Sequence, residues 1–201
     1  MSRNLARVLF CLGAIAMFLP ASTAVADNAP VAILIPGARG AVPSDFLIRN
    51  RARFKDAGIR TVVATSAEKA ASAARAEHSK GNTVVLVGMS RGTLHLSQAL
   101  ANGAPASRVV FVSGNFVGVM KTLGSPGGLP PALVVHHQGD RCRMTPPGAA
   151  QRFSRWADGK ARLVWIDTKG RPSDPCGPRG AHGFYMNDSA AVSAIIAFIR
   201  E

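Results

Sequence analysis

Aromatic residues are scarce in this 201-residue chain: two Trp, one Tyr and nine Phe amount to 6% of it. So few stacking side chains leave no platform for single-stranded nucleic acid. Acidic residues are scarce as well, with 11 Asp and Glu against 24 Lys and Arg and a formal net charge of +13. The arginines are scattered and form no dense basic block, so nucleic acid is not the expected partner. A charge of this sign fits solubility, or weak attraction to anionic envelope surfaces. Charged residues make up only 17% and hydrophobic ones 47%, which excludes a disordered chain. No CxxC or HExxH spacing occurs, so no metal site is predicted, and nothing calls for an organic cofactor. There is no internal repeat, no low-complexity linker and no apolar run long enough to span a bilayer comfortably. The length suits a single domain.

The N-terminus reads as a signal peptide over residues 1–26. Arg3 and Arg7 form a basic region, Val8 to Leu19 an apolar run broken by Pro20, and Ala24-Val25-Ala26 a small-x-small cleavage site. An uncleaved anchor is the competing reading. Cys11 follows Phe10, where a lipoprotein signal would want a small residue. Residues 27–201 are then a single exported domain, periplasmic or secreted, with no stable membrane span after cleavage. Export leaves Cys142 and Cys176 as an even pair in an oxidising compartment, and they are expected to form one disulfide rather than two free thiols. Closing a loop of that length is worth about 3–4 kcal/mol by chain entropy.

The mature chain alternates apolar runs with helical patterns. Val31–Ile35, Ile59–Ala64, Thr83–Val87, Arg108–Val112, Ala132–His136 and Arg162–Ile166 read as strands; the first and third are continuous apolar runs, as in strands buried on both faces. Helices are expected over 43–57, 66–80, 92–101, 147–157 and 188–199, and a Gly/Pro-rich loop over 113–131. The fold class is α/β, a mostly parallel sheet of about six strands with helices on both faces. Ligands in such sheets bind at the carboxyl ends of the strands.

At the end of the third strand stands Gly88-Met89-Ser90-Arg91-Gly92, a G-x-S-x-G. Glycines flank the serine because the chain must turn sharply from strand into helix, which lifts the Ser90 hydroxyl above the sheet. A plain glycine-rich turn is the bland alternative. A serine hydroxyl needs a base to become nucleophilic, and the base needs a carboxylate to orient it. Asp140 follows the fifth strand and His182 lies between the sixth strand and the last helix, in the order Ser, Asp, His.

On these residues the chain resembles a small, cap-less member of the α/β-hydrolase superfamily, over nearly all of the mature sequence. The resemblance implies Ser90 as nucleophile, Asp140 as acid and His182 as base. It also implies an oxyanion hole of backbone N–H groups from Arg91 and from the loop Pro36-Gly37-Ala38-Arg39-Gly40. There Pro36 stands where the family often has His, and Ala38 is the candidate donor. The first two strands of the full fold are expected to be missing, and the site to be open. A Cys142–Cys176 bridge would tie the acid loop to the base loop, or would merely stabilise the fold.

Other residues compete for these roles. His136 and His137 are adjacent, so one is expected to be packed and the other near the site rim. His95 is expected to be core or partly buried, and His78 suits a helix C-terminus. Asp167 and Asp174 are substitutes for Asp140. Arg39 and Arg91 either favour an anionic substrate or are solvated surface residues. The expected activity is hydrolysis of a carboxylic ester, thioester or amide through an acyl-enzyme, on a small-molecule or envelope ester. The alternatives are a peptidase or thioesterase, or a non-catalytic envelope ligand-binding protein of the same fold. Residues 113–131 and 168–181 carry no substrate pattern, and the sequence is silent on oligomeric state.

Overall fold

The computed structural model describes residues 30–167 and 174–201. The expected signal peptide and residues 168–173 of the loop over 168–181 lie outside the described residues.

Six strands form one all-parallel sheet in the order β2-β1-β3-β4-β5-β6. They are β1 (Val31–Ile35), β2 (Arg60–Val63), β3 (Val84–Met89), β4 (Arg108–Val112), β5 (Ala132–His137) and β6 (Ala161–Ile166). The helices are α1 (Phe46–Arg49), α2 (Arg51–Asp56), α3 (Ala67–His78), α4 (Gly92–Ala101), α5 (Phe116–Leu123), α6 (Pro147–Trp156) and α7 (Asp188–Arg200), with a 3₁₀ turn at Ala181–Gly183.

Every residue of β1 and β3 is buried, because helices cover both faces of the sheet. Alternation along each strand divides the core in two. Ile33, Leu86, Phe111 and Val134 pack against α3 to α6, while Leu34, Val87, Val110 and Val135 pack against α1, α2 and α7. On the first face Phe111 meets Phe153 edge-on at 5.1 Å between ring centroids. Each such fully buried phenyl ring contributes about 1.5–3 kcal/mol.

Two elements differ from expectation. Residues 43–57 do not form one helix: the backbone leaves helical geometry at Asn50 (φ −98°, ψ 4°), between α1 and α2. The Asn50 amide donates to Phe46 O at 2.9 Å and to Asp188 Oδ2 at 3.1 Å, so a distant carboxylate helps hold the break. Residues 113–131 are not all loop. Asn115 caps α5 by accepting the Gly118 N–H at 3.0 Å, and Phe116 and Val119 are buried in the first core. Gly118 allows close packing here, since a Cβ on it would lie 2.5 Å from Leu94 Cδ2 on α4.

The chain goes from β1 outward to β2 and returns on the other side of β1 as β3. That reversal leaves a crevice at the carboxyl ends of β1 and β3. The connections after β1, β3, β5 and β6 all start at this end of the parallel sheet, and they carry residues 36–40, Ser90, Asp140 and His182 respectively.

Candidate active site

Ser90 occupies the left-handed region at φ +52°, a conformation L-residues rarely adopt. The surroundings enforce it. Its N–H donates to Val112 O at 2.8 Å, and its carbonyl accepts from Thr93 N at 3.0 Å and Thr93 Oγ1 at 2.6 Å. The flanking glycines are required by space: a Cβ on Gly88 would lie 2.9 Å from Gly92 O, and one on Gly92 would lie 2.1 Å from Ile35 O. The β3–α4 junction is therefore a tight, strained elbow with the serine at its apex. The N-terminus of α4 begins two residues later and adds a favourable field for negative charge.

Asp140, 6% exposed, sits in the turn after β5. Its Oδ1 accepts the Cys142 N–H at 2.9 Å, and its Oδ2 accepts the Thr145 hydroxyl at 2.9 Å. His182 Nδ1 lies 2.9 Å from the same Oδ2 and 3.1 Å from Thr145 Oγ1. Asp140 thereby fixes which imidazole nitrogen faces the carboxylate and leaves Nε2 for a second group. His182 is 3% exposed, and its ring lines the same cavity as Ser90.

The 3₁₀ turn bearing His182 is tied down from behind. Ser113 Oγ donates to His182 O at 2.8 Å. The Arg49 guanidinium donates to Gly183 O and Ser44 O, and grips Asp188 at the start of α7 through Nε at 2.8 Å and Nη2 at 2.7 Å. Cys142 and Cys176 are bridged with Cα atoms 4.6 Å apart, joining the acid loop to the segment that precedes His182. Both cysteines line the cavity.

The loop after β1 faces the elbow. Asp45 Oδ2 accepts the Gly37 N–H at 2.9 Å, which leaves Ala38 as the next amide along. Among the described residues, the N–H groups of Ala38 and Arg91 have no acceptor, and both residues line the cavity. Burial pushes the Asp45 carboxyl above its ordinary range, although three backbone N–H donors and Arg49 pull the other way.

His136 and His137 are both buried, at 0% and 3% exposure, so neither is at the rim. The reason is that β5 is covered on both faces: the His136 ring packs edge-on to Trp165 and against Phe116. Its Nε2 lies 3.0 Å from Thr145 O, which can only accept, so the neutral ring carries its proton there. Burial lowers the His136 pKa to about 4 despite the nearby Asp140 charge. His95 is half-buried on α4, and His78 is exposed in the last turn of α3. Asp167 and Asp174 are exposed, and the carboxylate that the His182 imidazole faces is Asp140; Asp174 lies 4.0 Å from Arg39.

The cavity holds about 530 Å³, within the range of small-molecule sites. Phe46, Met89 and Leu94 give it apolar walls, and Met144, 64% exposed, stands at its mouth. Sequence reasoning missed Asp45, Arg49, Thr145 and His136 as supports of the site. Asp45 had one visible signal, an acidic N-cap position before Phe46-Leu47. Among the described residues no group of three or more His, Cys, Asp or Glu is placed to hold a metal, and no helix is long and apolar enough to cross a membrane.

No family model matches the sequence, and no curated protein matches it. Solved structures do resemble the fold. A YdeN-like hydrolase from Pectobacterium atrosepticum is similar at TM-score 0.61 and 17% identity, over 87% of this chain and 93% of that one. A lipase-esterase related protein from Clostridium acetobutylicum is similar at TM-score 0.64 and 8% identity, over 86% and 96%. Esterase 2 of Thermogutta terrifontis, in a structure phosphoramylated by tabun, is similar at TM-score 0.57 and 13% identity, over 86% and 83%. The chain has the α/β-hydrolase fold.

Proposed function

We propose that the protein is an exported serine hydrolase that cleaves a carboxylic ester through an acyl-enzyme. The observation that carries this reading is the 2.9 Å contact between His182 Nδ1 and Asp140 Oδ2, with the imidazole lining the same cavity as a serine held at φ +52°. Support also comes from esterase 2 of Thermogutta terrifontis, whose modification by tabun is the behaviour expected of an activated nucleophile.

In this mechanism His182 Nε2 takes the proton from Ser90 Oγ as the oxygen attacks the substrate carbonyl. Asp140 holds the imidazole in the Nδ1–H tautomer and stabilises the imidazolium that forms. The carbonyl oxygen becomes an oxyanion and accepts hydrogen bonds from the Ala38 and Arg91 N–H groups, each worth about 3–4 kcal/mol in comparable sites. The C–O bond to the leaving alcohol breaks, and His182 returns the proton to that oxygen. Water then attacks the acyl-Ser90 ester with His182 as base, releasing the carboxylic acid and regenerating Ser90.

Export rests on the N-terminal signal pattern, and the bridged cysteines are compatible with it, because disulfides persist in oxidising compartments.

Hydrolysis of para-nitrophenyl butyrate tests the chemistry. Ser90→Ala and His182→Ala are expected to fall by at least about a thousandfold in kcat, with Asp140→Asn close behind. Turnover in Ser90→Ala equal to wild type would overturn the reading.

A further inference from the structure

Three arginines reach the mouth of the site from three separate segments. Arg39 comes from the loop after β1, Arg91 from the elbow, and Arg179 from the segment before His182. Arg39 and Arg91 line the cavity that contains Ser90. Arg39 and Arg179 line a second cavity of about 390 Å³, which shares Arg39, Ser44, Asp174 and Pro178 with the first. The two spaces are therefore neighbours, one apolar-walled around the serine and one at its edge lined by two arginines and one aspartate.

An exposed arginine costs nothing to keep and means little alone. Here the surrounding acids leave cationic charge over. Two carboxylates line the two cavities: Asp45, engaged with backbone N–H donors, and Asp174, 4.0 Å from Arg39. Arg91 and Arg179 form no ion pair among the described residues. The guanidinium fork suits a planar carboxylate or a phosphate better than any neutral group.

We infer that the substrate is an anionic ester: an apolar portion occupies the cavity around Ser90, and a carboxylate or phosphate on the same molecule lies against Arg91, Arg39 and Arg179. This rests on the hydrolase reading above and adds the substrate class to it. The anion is bound before and during acyl transfer, and the bond broken remains the ester C–O. The arginines hold the substrate so that its carbonyl is presented to Ser90.

Two matched pairs of esters test the assignment with purified protein at low ionic strength. Mono-para-nitrophenyl adipate against para-nitrophenyl hexanoate places a carboxylate on the acyl half. Para-carboxyphenyl acetate against phenyl acetate places it on the leaving group. In at least one pair kcat/KM is expected to favour the anionic member by about tenfold or more. That ratio should shrink towards one as NaCl is raised to about 0.5 M, where exposed charges are screened. It should also shrink in Arg91→Gln and in the double variant Arg39→Gln/Arg179→Gln. If the neutral esters are hydrolysed equally well or better in both pairs, the anion assignment fails and the hydrolase reading stands. A preference that survives both variants and high salt also refutes it. If no ester is hydrolysed, the hydrolase reading fails and takes this inference with it.

Discussion

Asp45 accepts the backbone N–H of Gly37 through Oδ2 at 2.9 Å, while its Oδ1 caps α1 by accepting from Leu47 N at 2.9 Å. A single buried carboxylate thus links the start of α1 to the loop whose next amide, Ala38, is proposed to face the oxyanion. Asp45→Asn replaces one acceptor oxygen by a donor, so the amide can serve only one of those two backbone donors. The predicted result is a fall in kcat of about tenfold with KM within about twofold, since the loss is felt where the oxyanion develops. Stability is read alongside kcat, because the variant leaves one buried N–H without its acceptor and Tm is expected to fall. The folded-state pKa of Asp45 is raised by burial, so the carboxyl favours folding at pH below its unfolded value and that benefit is lost as pH rises through the folded value. Circular dichroism at the assay temperature, showing the variant folded, assigns the fall in kcat to the site rather than to unfolding.

His136 predicts an acid-sensitive component of stability. Its pKa drops from 6.5 to about 4 on folding, chiefly by burial. A depressed folded value means the stabilisation is complete above the unfolded pKa and disappears as pH falls from 6.5 towards 4. The two values correspond to about 3 kcal/mol. Urea unfolding measured across that window should show wild type losing more stability than His136→Gln, which keeps a donor for Thr145 O. Equal losses would contradict the assignment.

The Cys142–Cys176 bridge joins the loop of Asp140 to the segment before His182, and the Cys142 N–H donates to Asp140 Oδ1. Cys142→Ser/Cys176→Ser is predicted to cost about 2–4 kcal/mol in stability. If the bridge also holds the acid and base loops in register, kcat falls by more than tenfold under conditions where circular dichroism shows the sheet intact. A stability loss with unchanged kcat would restrict the bridge to a stabilising role.

Much of the fold was legible because β1 and β3 are apolar runs, and because Gly88 and Gly92 bracket Ser90 at a spacing that suits a strand-to-helix turn. That Asp140 and His182 come together at one end of the sheet was legible from their order and from their places after β5 and β6. Helix α5 was hidden by Gly114, Gly118 and Gly124, which read as loop, although Gly118 serves the packing against Leu94. The break at Asn50 was hidden because one of its partners, Asp188, lies 138 residues away. Thr145 and Arg49 had no local signal, since each acts through contacts that exist only once the acid and base loops fold onto the end of the sheet. Asp45 could be read as a helix cap but not as a partner of Gly37.

Incubating the protein with a fluorophosphonate probe and mapping the adduct by peptide mass spectrometry tests most directly whether Ser90 is an activated nucleophile. One adduct per chain is expected on Ser90, absent in Ser90→Ala and strongly slowed in His182→Ala. A folded wild-type protein that acquires no adduct, or acquires it on another residue, would contradict it.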